Sequence, residues 1–551
     1  VYKRQYIWNI DYVTDIAREY KKLCPSVPIW VGGPEVSYEV EAFLRENPYI
    51  DGVMIGEGED TFRELCGYYA HKRKLSDIAG IAFRKNSTGN STSNRTSVNN
   101  AGCKADEIVF TSPRPIKNMS EIPFCYDTLD DFSNRIIYYE SSRGCPFSCS
   151  YCLSSVDKTL RFRDTRIVKR ELKFFIDQKV PQIKFVDRTF NCNHAHAMEL
   201  WRFIKANDNG VTNFHFEISA DLLNQEELEL ISDMRPGLIQ LEIGVQSTNE
   251  VTIKEIHRTM KLERLKEVVR LIQSGNNIHE HLDLIAGLPY EDYDSFGRSF
   301  DEIYELKPNQ LQLGFLKVLK GSYMFEHAAE YGIVYHDKPP YEVMSTKWLS
   351  FDDVIKIKRV EDMLEVYYNS GQFEITMKLM ECIFDSAFEF FQELGDFYEA
   401  NGYFGMSHSR IRRCEILLEF LALYLHGCDN DAMTSVVLSE NDGDRDNTDF
   451  DENAQIYKMI QESLIFDLYY RENCKSRPVW ATDIGSFKHM THAYCKNGKL
   501  SHVEPFHYIF PDKHTRKLDE LPKYHKEPVW ALFHYDMRDP LDHQALVEYV
   551  E

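Results

Sequence analysis

Apolar positions in the first 66 residues alternate between short runs and helical spacing. Tyr6-Ile7-Trp8 is a short apolar run, Tyr12 to Cys24 repeats with a helical period, and Val27 to Val31 reads as a buried strand. That strand ends in Gly32-Gly33-Pro34, a turn that lets a backbone or a ligand approach closely. Asp51 to Ile55 is the next strand, followed by Gly56-Glu57-Gly58-Glu59 and a helix from Asp60. The order is that of the second half of a doubly wound α/β domain. So short a stretch is too small for a complete sheet of this kind, so the expectation is a truncated Rossmann-like domain over 1–75.

Residues 76–133 read as a hairpin and linker. Ile81-Ala82-Phe83 is expected to pair with Ile108-Val109-Phe110 across a Ser-, Thr- and Asn-rich mobile loop, Lys85 to Ala101, and Pro113, Pro115 and Pro123 mark an extended link. From 134 to 345 strands and helices alternate every thirty or so residues. The expected strands are Ile136–Glu140, Ile183–Asp187, Phe214–Ser219, Leu238–Val245, His281–Ala286 and Gln310–Gly314, which predict a partial (β/α)6 barrel. Residues 346–551 are expected to be mainly helical, with helices at Val360–Tyr368, Met377–Leu394 and Arg410–Leu425. Residues 429–453 hold nine acidic side chains and read as a solvated insertion; 455–551 is aromatic-rich, with strand-like runs whose order the pattern leaves open.

Composition narrows the function. Apolar residues make up 43% of the 551, enough for several cores, and a net charge of −23 argues against broad binding to nucleic acid or anionic lipid. No run of about 18 apolar residues occurs, so no membrane span is expected. The chain starts Val1-Tyr2-Lys3-Arg4 with no apolar export segment, which points to the cytoplasm. There the 13 cysteines favour metal over disulfides.

Chemistry concentrates at Cys145-Pro-Phe-Ser-Cys149-Ser-Tyr151-Cys152, directly after a predicted strand. Structural zinc and electron-carrying cubane clusters generally take four protein ligands. Three cysteines on one loop leave one iron of a cubane open, as a catalytic cluster requires. The competing assignment is a zinc knuckle completed by Cys192, His194 or His196. The spacing, with an aromatic residue before the last cysteine, resembles the radical SAM enzymes. That resemblance, over residues 136–315, is closest to the branch of oxygen-independent coproporphyrinogen oxidase and the cobalamin-dependent radical SAM proteins. It implies a 4Fe–4S cluster on Cys145, Cys149 and Cys152, with S-adenosylmethionine (SAM) at the fourth iron and reductive cleavage to a 5′-deoxyadenosyl radical.

Further positions at strand ends resemble the family's SAM-binding elements. They are Asp187 and Thr189 on the second strand, Glu217 and Ser219 on the third, Gln246 on the fourth with Arg258 beyond it, and Asp283 on the fifth. SAM offers a ribose diol and an ammonium for acidic and amide side chains, and a carboxylate for a guanidinium. Glu217, Gln246 and Asp283 are therefore the candidate ribose and methionyl contacts, and Arg258 the carboxylate partner.

The N-terminal turns resemble the cobalamin domain that precedes the barrel in the cobalamin-dependent branch, so Gly32, Gly33, Gly56 and Glu57 are candidate corrin contacts. No Asp-x-His-x-x-Gly sequence occurs, so a histidine as lower axial ligand is not expected, and cobalamin is expected of the intact protein rather than of this chain alone. After residue 350 the chain resembles an uncharacterised extension. His489 and His492 there read as a solvated pair before a metal site. The expected activity is radical SAM chemistry ending in cobalamin-dependent methyl transfer to an unknown substrate, with an electron donor such as flavodoxin or ferredoxin. The alternatives are cyclisation, oxidation or rearrangement without methyl transfer, and a non-catalytic metal-binding scaffold.

Overall fold

A computed structural model describes residues 9–85, 107–126, 128–132, 135–156, 158–426, 452–482, 500–511, 520–539 and 541–550, together with 489, 494, 495, 515 and 518. The expected strand at Tyr6–Trp8, most of the Lys85–Ala101 loop and His492 lie outside these residues. So does the 429–453 insertion, apart from its last two positions, which begin a helix.

The N-terminal sheet has the order β1 (Trp30–Gly32), β2 (Gly52–Met54), β3 (Ile81–Arg84), β4 (Ile108–Phe110). β1 and β2 are parallel, as the α/β pattern requires. The expected hairpin forms with Phe83 opposite Val109, but it is no separate linker element: β3 pairs antiparallel with β2 and extends the first sheet. Arg84 explains why. Its buried guanidinium donates to the carbonyls of Ile50 (3.1 Å), Asn47 (3.3 Å) and Leu44, the open C-terminal end of the helix Val40–Glu46.

The barrel sheet contains β5 (Ile137–Tyr139), β8 (Gln182–Phe185), β9 (Asn213–Ile218), β10 (Ile239–Gln246), β11 (His279–Ala286) and β12 (Gln310–Phe315), all parallel and in sequential order. The short ladder of β6 (Ser142–Arg143) with β7 (Arg161–Phe162) closes the base of the cysteine loop. Along β10 burial alternates strictly, with Ile239, Leu241, Ile243 and Val245 buried and the residues between them half-exposed. The apolar face meets the helices through Phe185, Phe190, Phe216 and Trp201, all essentially buried. The polar face lines the lumen. A small hairpin, β13 (Val334–Tyr335) and β14 (Val343–Ser345), covers the end of β11: a Cβ at Gly287 would lie 2.7 Å from the Val343 side chain.

The C-terminal region packs onto the barrel helices in one continuous core. The helix expected over Met377–Leu394 is two helices, Glu374–Ile383 and Ala387–Ala400, because Ser386 ends the first run and caps the second. The Ser386 hydroxyl accepts from Glu389 N–H (3.0 Å) and donates to Asp301 (2.7 Å) on the barrel helix Tyr293–Tyr304. Asp467, on the helix Glu452–Arg471, accepts from the N–H groups of Ile375 (3.0 Å) and Thr376 (2.9 Å), which begin the Glu374–Ile383 helix. The strand-like runs at the end form an antiparallel sheet, β15 (Ser501–Tyr508), β16 (Tyr524–Arg538) and β17 (Ala545–Val550). The region expected to be mainly helical therefore finishes in a sheet.

Phe388 sits where the two regions meet, against Phe296 and Phe300, and a Cβ at Gly297 would lie 2.9 Å from its ring. Phe388→Ala is expected to cost about 3–5 kcal/mol in urea unfolding. Hydrogen exchange should rise in both 293–304 and 387–400. A change confined to one helix would show that the regions are not packed as one body.

Candidate active site

The cysteine loop leaves β5 and is pinned at its start. Ser141 donates to Asp187 from its N–H (2.9 Å) and its hydroxyl (2.7 Å), and Ser142 adds its hydroxyl (2.6 Å). Asp187 is fully buried just past β8; burial pushes its carboxyl up to about 6 against the pull of these donors. It is thus committed to the loop, and its place among the SAM contacts is not what this geometry offers. The Ser141 hydroxyl also meets His196 Nε2 at 3.0 Å.

Farther along, Ser150 N–H donates to the Ile256 carbonyl (2.9 Å) and Met324 N–H to the Ser150 carbonyl (3.0 Å). Cys145 and Cys149 are buried, Cys152 is half-buried, and all three are free thiols. Burial pushes the Cys145 thiol up, and Cys152 and Cys149 are near enough to add to that shift. Thr189 Oγ1 lies 3.7 Å from Cys145 Sγ.

Arg258 enters from beyond β10. Its Nη1 lies 3.8 Å from Cys149 Sγ and 3.3 Å from Tyr151 Oη, and its Nη2 donates to the Gly244 carbonyl. Gln246 has φ of 77°, and its amide folds over Gly244, where a Cβ would collide with it. Gln246 Oε1 and Arg258 Nε are buried polar atoms with no hydrogen-bond partner among the described residues. Such orphans beside a thiol trio are costly unless a polar ligand completes them, so the residues present fit a cluster with a SAM-like ligand beside it.

Glu217 and Asp283 face the lumen. Burial pushes Glu217 up to about 7, with Arg188 opposing and Glu242 adding. Asp283 lies well above the usual carboxylate range through burial, then through Glu242 and Glu217, and its Oδ1 is 3.2 Å from His281 Nε2. Ser219 turns away: its hydroxyl donates to Asp221 (2.7 Å) and its N–H to Asn191 (3.0 Å).

Sequence reasoning missed the group beneath these residues. Lys184 Nζ and His215 Nε2 each lie 2.8 Å from Glu242 Oε2. Against the effect of burial, these two partners hold Glu242 down at about 2. The available signal was period two: His215 and Glu217 on β9, Glu242, Gly244 and Gln246 on β10, and His281 and Asp283 on β11.

The zinc ligand set does not assemble. His194 Nδ1 pairs with Glu227 (3.0 Å) and His196 with Ser141, while burial pushes Cys192 up to about 11. Among the described residues no three His, Cys, Asp or Glu side chains converge on a single ion. A cubane, by contrast, binds each thiolate at a different iron.

In the N-terminal segment Gly33 has φ of 128° and Gly56 of 74°, and a Cβ at Gly56 would meet nothing within 4 Å, which leaves its backbone open to a flat ligand. Gly32 instead backs onto Met54, with a Cβ contact of 3.2 Å. Glu57 is taken by the barrel: it lies 2.6 Å from Arg161 and 3.3 Å from Arg143.

Comparison with known proteins accords with this layout. Residues 139–303 match the radical SAM superfamily, 4–66 the B12 binding domain, and 329–544 a protein family of unknown function, DUF4080. The chain thus carries a radical SAM domain. More narrowly, that domain follows a B12-binding domain, and the cofactors these two domains imply are a 4Fe–4S cluster, SAM and cobalamin. An uncharacterized methyltransferase of Pyrococcus horikoshii is 23% identical over 353 residues, 62% of this chain and 71% of that protein. The cobalamin-dependent radical SAM methyltransferase TokK of Streptomyces tokunonensis is 26% identical over 54% of this chain and 44% of its own length. An anaerobic magnesium-protoporphyrin IX monomethyl ester cyclase of Synechocystis is 25% identical over 46% of this chain and 48% of its own. The chain thus spans under half of two of these relatives. Among solved structures, the cobalamin-dependent SAM radical enzyme OxsB aligns with 15% identity and a TM-score of 0.49 over 85% of this chain and 71% of that one.

Glu217 yields a pH prediction. Its carboxyl is raised from 4.5 to about 7 in the folded chain, so the folded state keeps a proton that the unfolded state releases. Stability contributed by Glu217 therefore falls as pH rises from 4.5 to 7. Glu217→Gln, measured by urea unfolding without cofactors, is expected to flatten that fall and to gain roughly 1–3 kcal/mol at neutral pH. Parallel wild-type and variant curves would contradict the assignment.

Proposed function

We propose that this chain catalyses cobalamin-dependent methyl transfer from SAM to a substrate that its residues do not identify. The observation that carries the reading is the thiol trio, two of its members buried, with Arg258 and Gln246 at the strand ends and a B12-binding segment ahead of the barrel. Methyltransferases among the relatives support it.

When bound, the reduced cluster and SAM supply one-electron cleavage of a sulfonium bond, and cobalamin supplies a transferable methyl group. Cys145, Cys149 and Cys152 hold three corners of the cluster as thiolates. Arg258, whose Nε has no hydrogen-bond partner among the described residues, would clamp the SAM carboxylate. Tyr151 accepts from Arg258 and fixes its angle. Glu217 and Asp283, whose carboxyls burial shifts toward the protonated form, would face the ribose and methionyl groups, while Gln246 offers its amide. Thr189 borders Cys145, and the turn at Gly56, open on its Cβ side, would receive the corrin together with the turn at Gly33. The Lys184–Glu242–His215 group lines the wall the substrate approaches.

Among the described residues no helix is long and apolar enough to cross a membrane. The proposed setting is the cytoplasm, with a reductant of the flavodoxin or ferredoxin class.

Changing Cys145, Cys149 or Cys152 singly to Ala is expected to remove the cluster's visible absorbance after anaerobic reconstitution and to lower SAM cleavage by at least two orders of magnitude. Mass analysis of nucleosides from the wild type, reduced with SAM and cobalamin, should show 5′-deoxyadenosine together with S-adenosylhomocysteine. Deoxyadenosine alone would instead favour oxidation, rearrangement or ring formation, the last being what the cyclase relatives are named for. Retained cleavage in the cysteine variants would refute the assignment.

A further inference from the structure

The turn Gly56-Glu57-Gly58-Glu59 follows β2 of the B12-binding segment, yet both of its carboxylates point at the cysteine loop. Across the β6–β7 ladder Arg143 stands directly opposite Arg161. Two guanidiniums side by side repel each other, so the ladder is unfavourable unless anions sit between them. Glu57 Oε1 supplies one, 2.6 Å from Arg161 and 3.3 Å from Arg143. Glu59 supplies a second, 2.9 Å from Arg143, and Glu140 a third from within the loop itself, at 2.7 Å. Arg143 and Arg161 keep only 17% and 13% of their side chains exposed, so solvent screens these pairs less than surface pairs. The other oxygen of Glu57 accepts from Lys117 N–H (3.1 Å), which ties in the link between the two domains.

Movement here reaches the cysteines without slack. Gly144 is the one residue between Arg143 and Cys145; its φ is 94°, and a Cβ there would lie 2.5 Å from the Thr159 carbonyl oxygen. The two sides of the loop thus touch backbone to backbone at the point where the first cysteine begins.

We propose that Glu57 and Glu59, acting through Arg143 and Arg161, are positioning residues that lock the base of the cysteine loop to the B12-binding segment and so fix where the cluster stands relative to the corrin. The functional meaning rests on the methyl-transfer reading; the mechanical coupling does not, and the two are tested separately.

The coupling is read in the full chain without cofactors, from the rates at which iodoacetamide alkylates individual cysteines, followed by peptide mass spectrometry. In the Glu57→Gln/Glu59→Gln double variant Cys145 and Cys149 should react about five times faster than in the wild type, as expected for losing about 1 kcal/mol of restraint. Cys414, buried in the C-terminal region, serves as the reference and should keep its rate. Unchanged rates at Cys145 and Cys149 would overturn the proposal. If Cys414 accelerates equally in the double variant, Glu59→Gln alone, which leaves Glu57 bridging both arginines, decides: faster Cys145 with constant Cys414 sustains the clamp, and any other pattern overturns it. In the reconstituted enzyme the double variant should still release 5′-deoxyadenosine but form several-fold less methylated product per nucleoside. An unaltered ratio beside loosened cysteines would leave the clamp standing and remove its role in methyl transfer.

Discussion

The site depends on one buried carboxylate. Asp187 gathers three hydrogen bonds from Ser141 and Ser142 at the point where the chain leaves β5, and so decides where the cysteine loop begins. A carboxyl group in so dry a place is expensive, and those donors offset much of the expense. Because β5 and β8 are adjacent parallel strands, the bond set joins two strand ends and not merely two neighbours in sequence. From that fixed origin the loop runs over the barrel mouth, held again at Ser150 by Ile256 and Met324, until Arg258 meets Cys149. The loop that bears the thiols is therefore fixed by protein contacts at both ends.

The barrel's two faces follow from the same alternation. Apolar residues on one side of each strand meet helices, which leaves the other side free to carry ionisable groups in a space with little water. There the groups differ in state by the balance of burial and partners. Lys184 and His215, both hydrogen-bonded to Glu242, hold it low, whereas burial raises Glu217 and Asp283 although Arg188 stands near the one and His281 lies 3.2 Å from the other. A wall of this kind offers donors and acceptors together, which suits the zwitterionic amino-acid end of SAM.

Much of this was legible in the chain. The strand positions of the barrel follow from period-two apolar runs, and the match of residues 139–303 to the radical SAM superfamily agrees with what the cysteine spacing implied. What the sequence hid were contacts between distant segments. Asp187 looks like a SAM contact at a strand end until Ser141 and Ser142 are seen to occupy it. Glu57 looks like part of a corrin turn until Arg143 and Arg161, more than 80 residues away, are found against it. Ser386 breaks a helix whose hydrophobic period continues unbroken, since a cap depends on one hydroxyl and not on the pattern around it. The final sheet was unreadable because its aromatic residues serve strand pairing and core packing alike.

The central claim is that three thiols hold a cubane with one iron left for SAM. Mössbauer spectroscopy of the anaerobically iron-reconstituted chain, with and without SAM, tests it most directly. A 4Fe–4S spectrum in which a single iron site changes when SAM is added is expected. Four irons indifferent to SAM, or a protein that takes up zinc in place of iron, would contradict it.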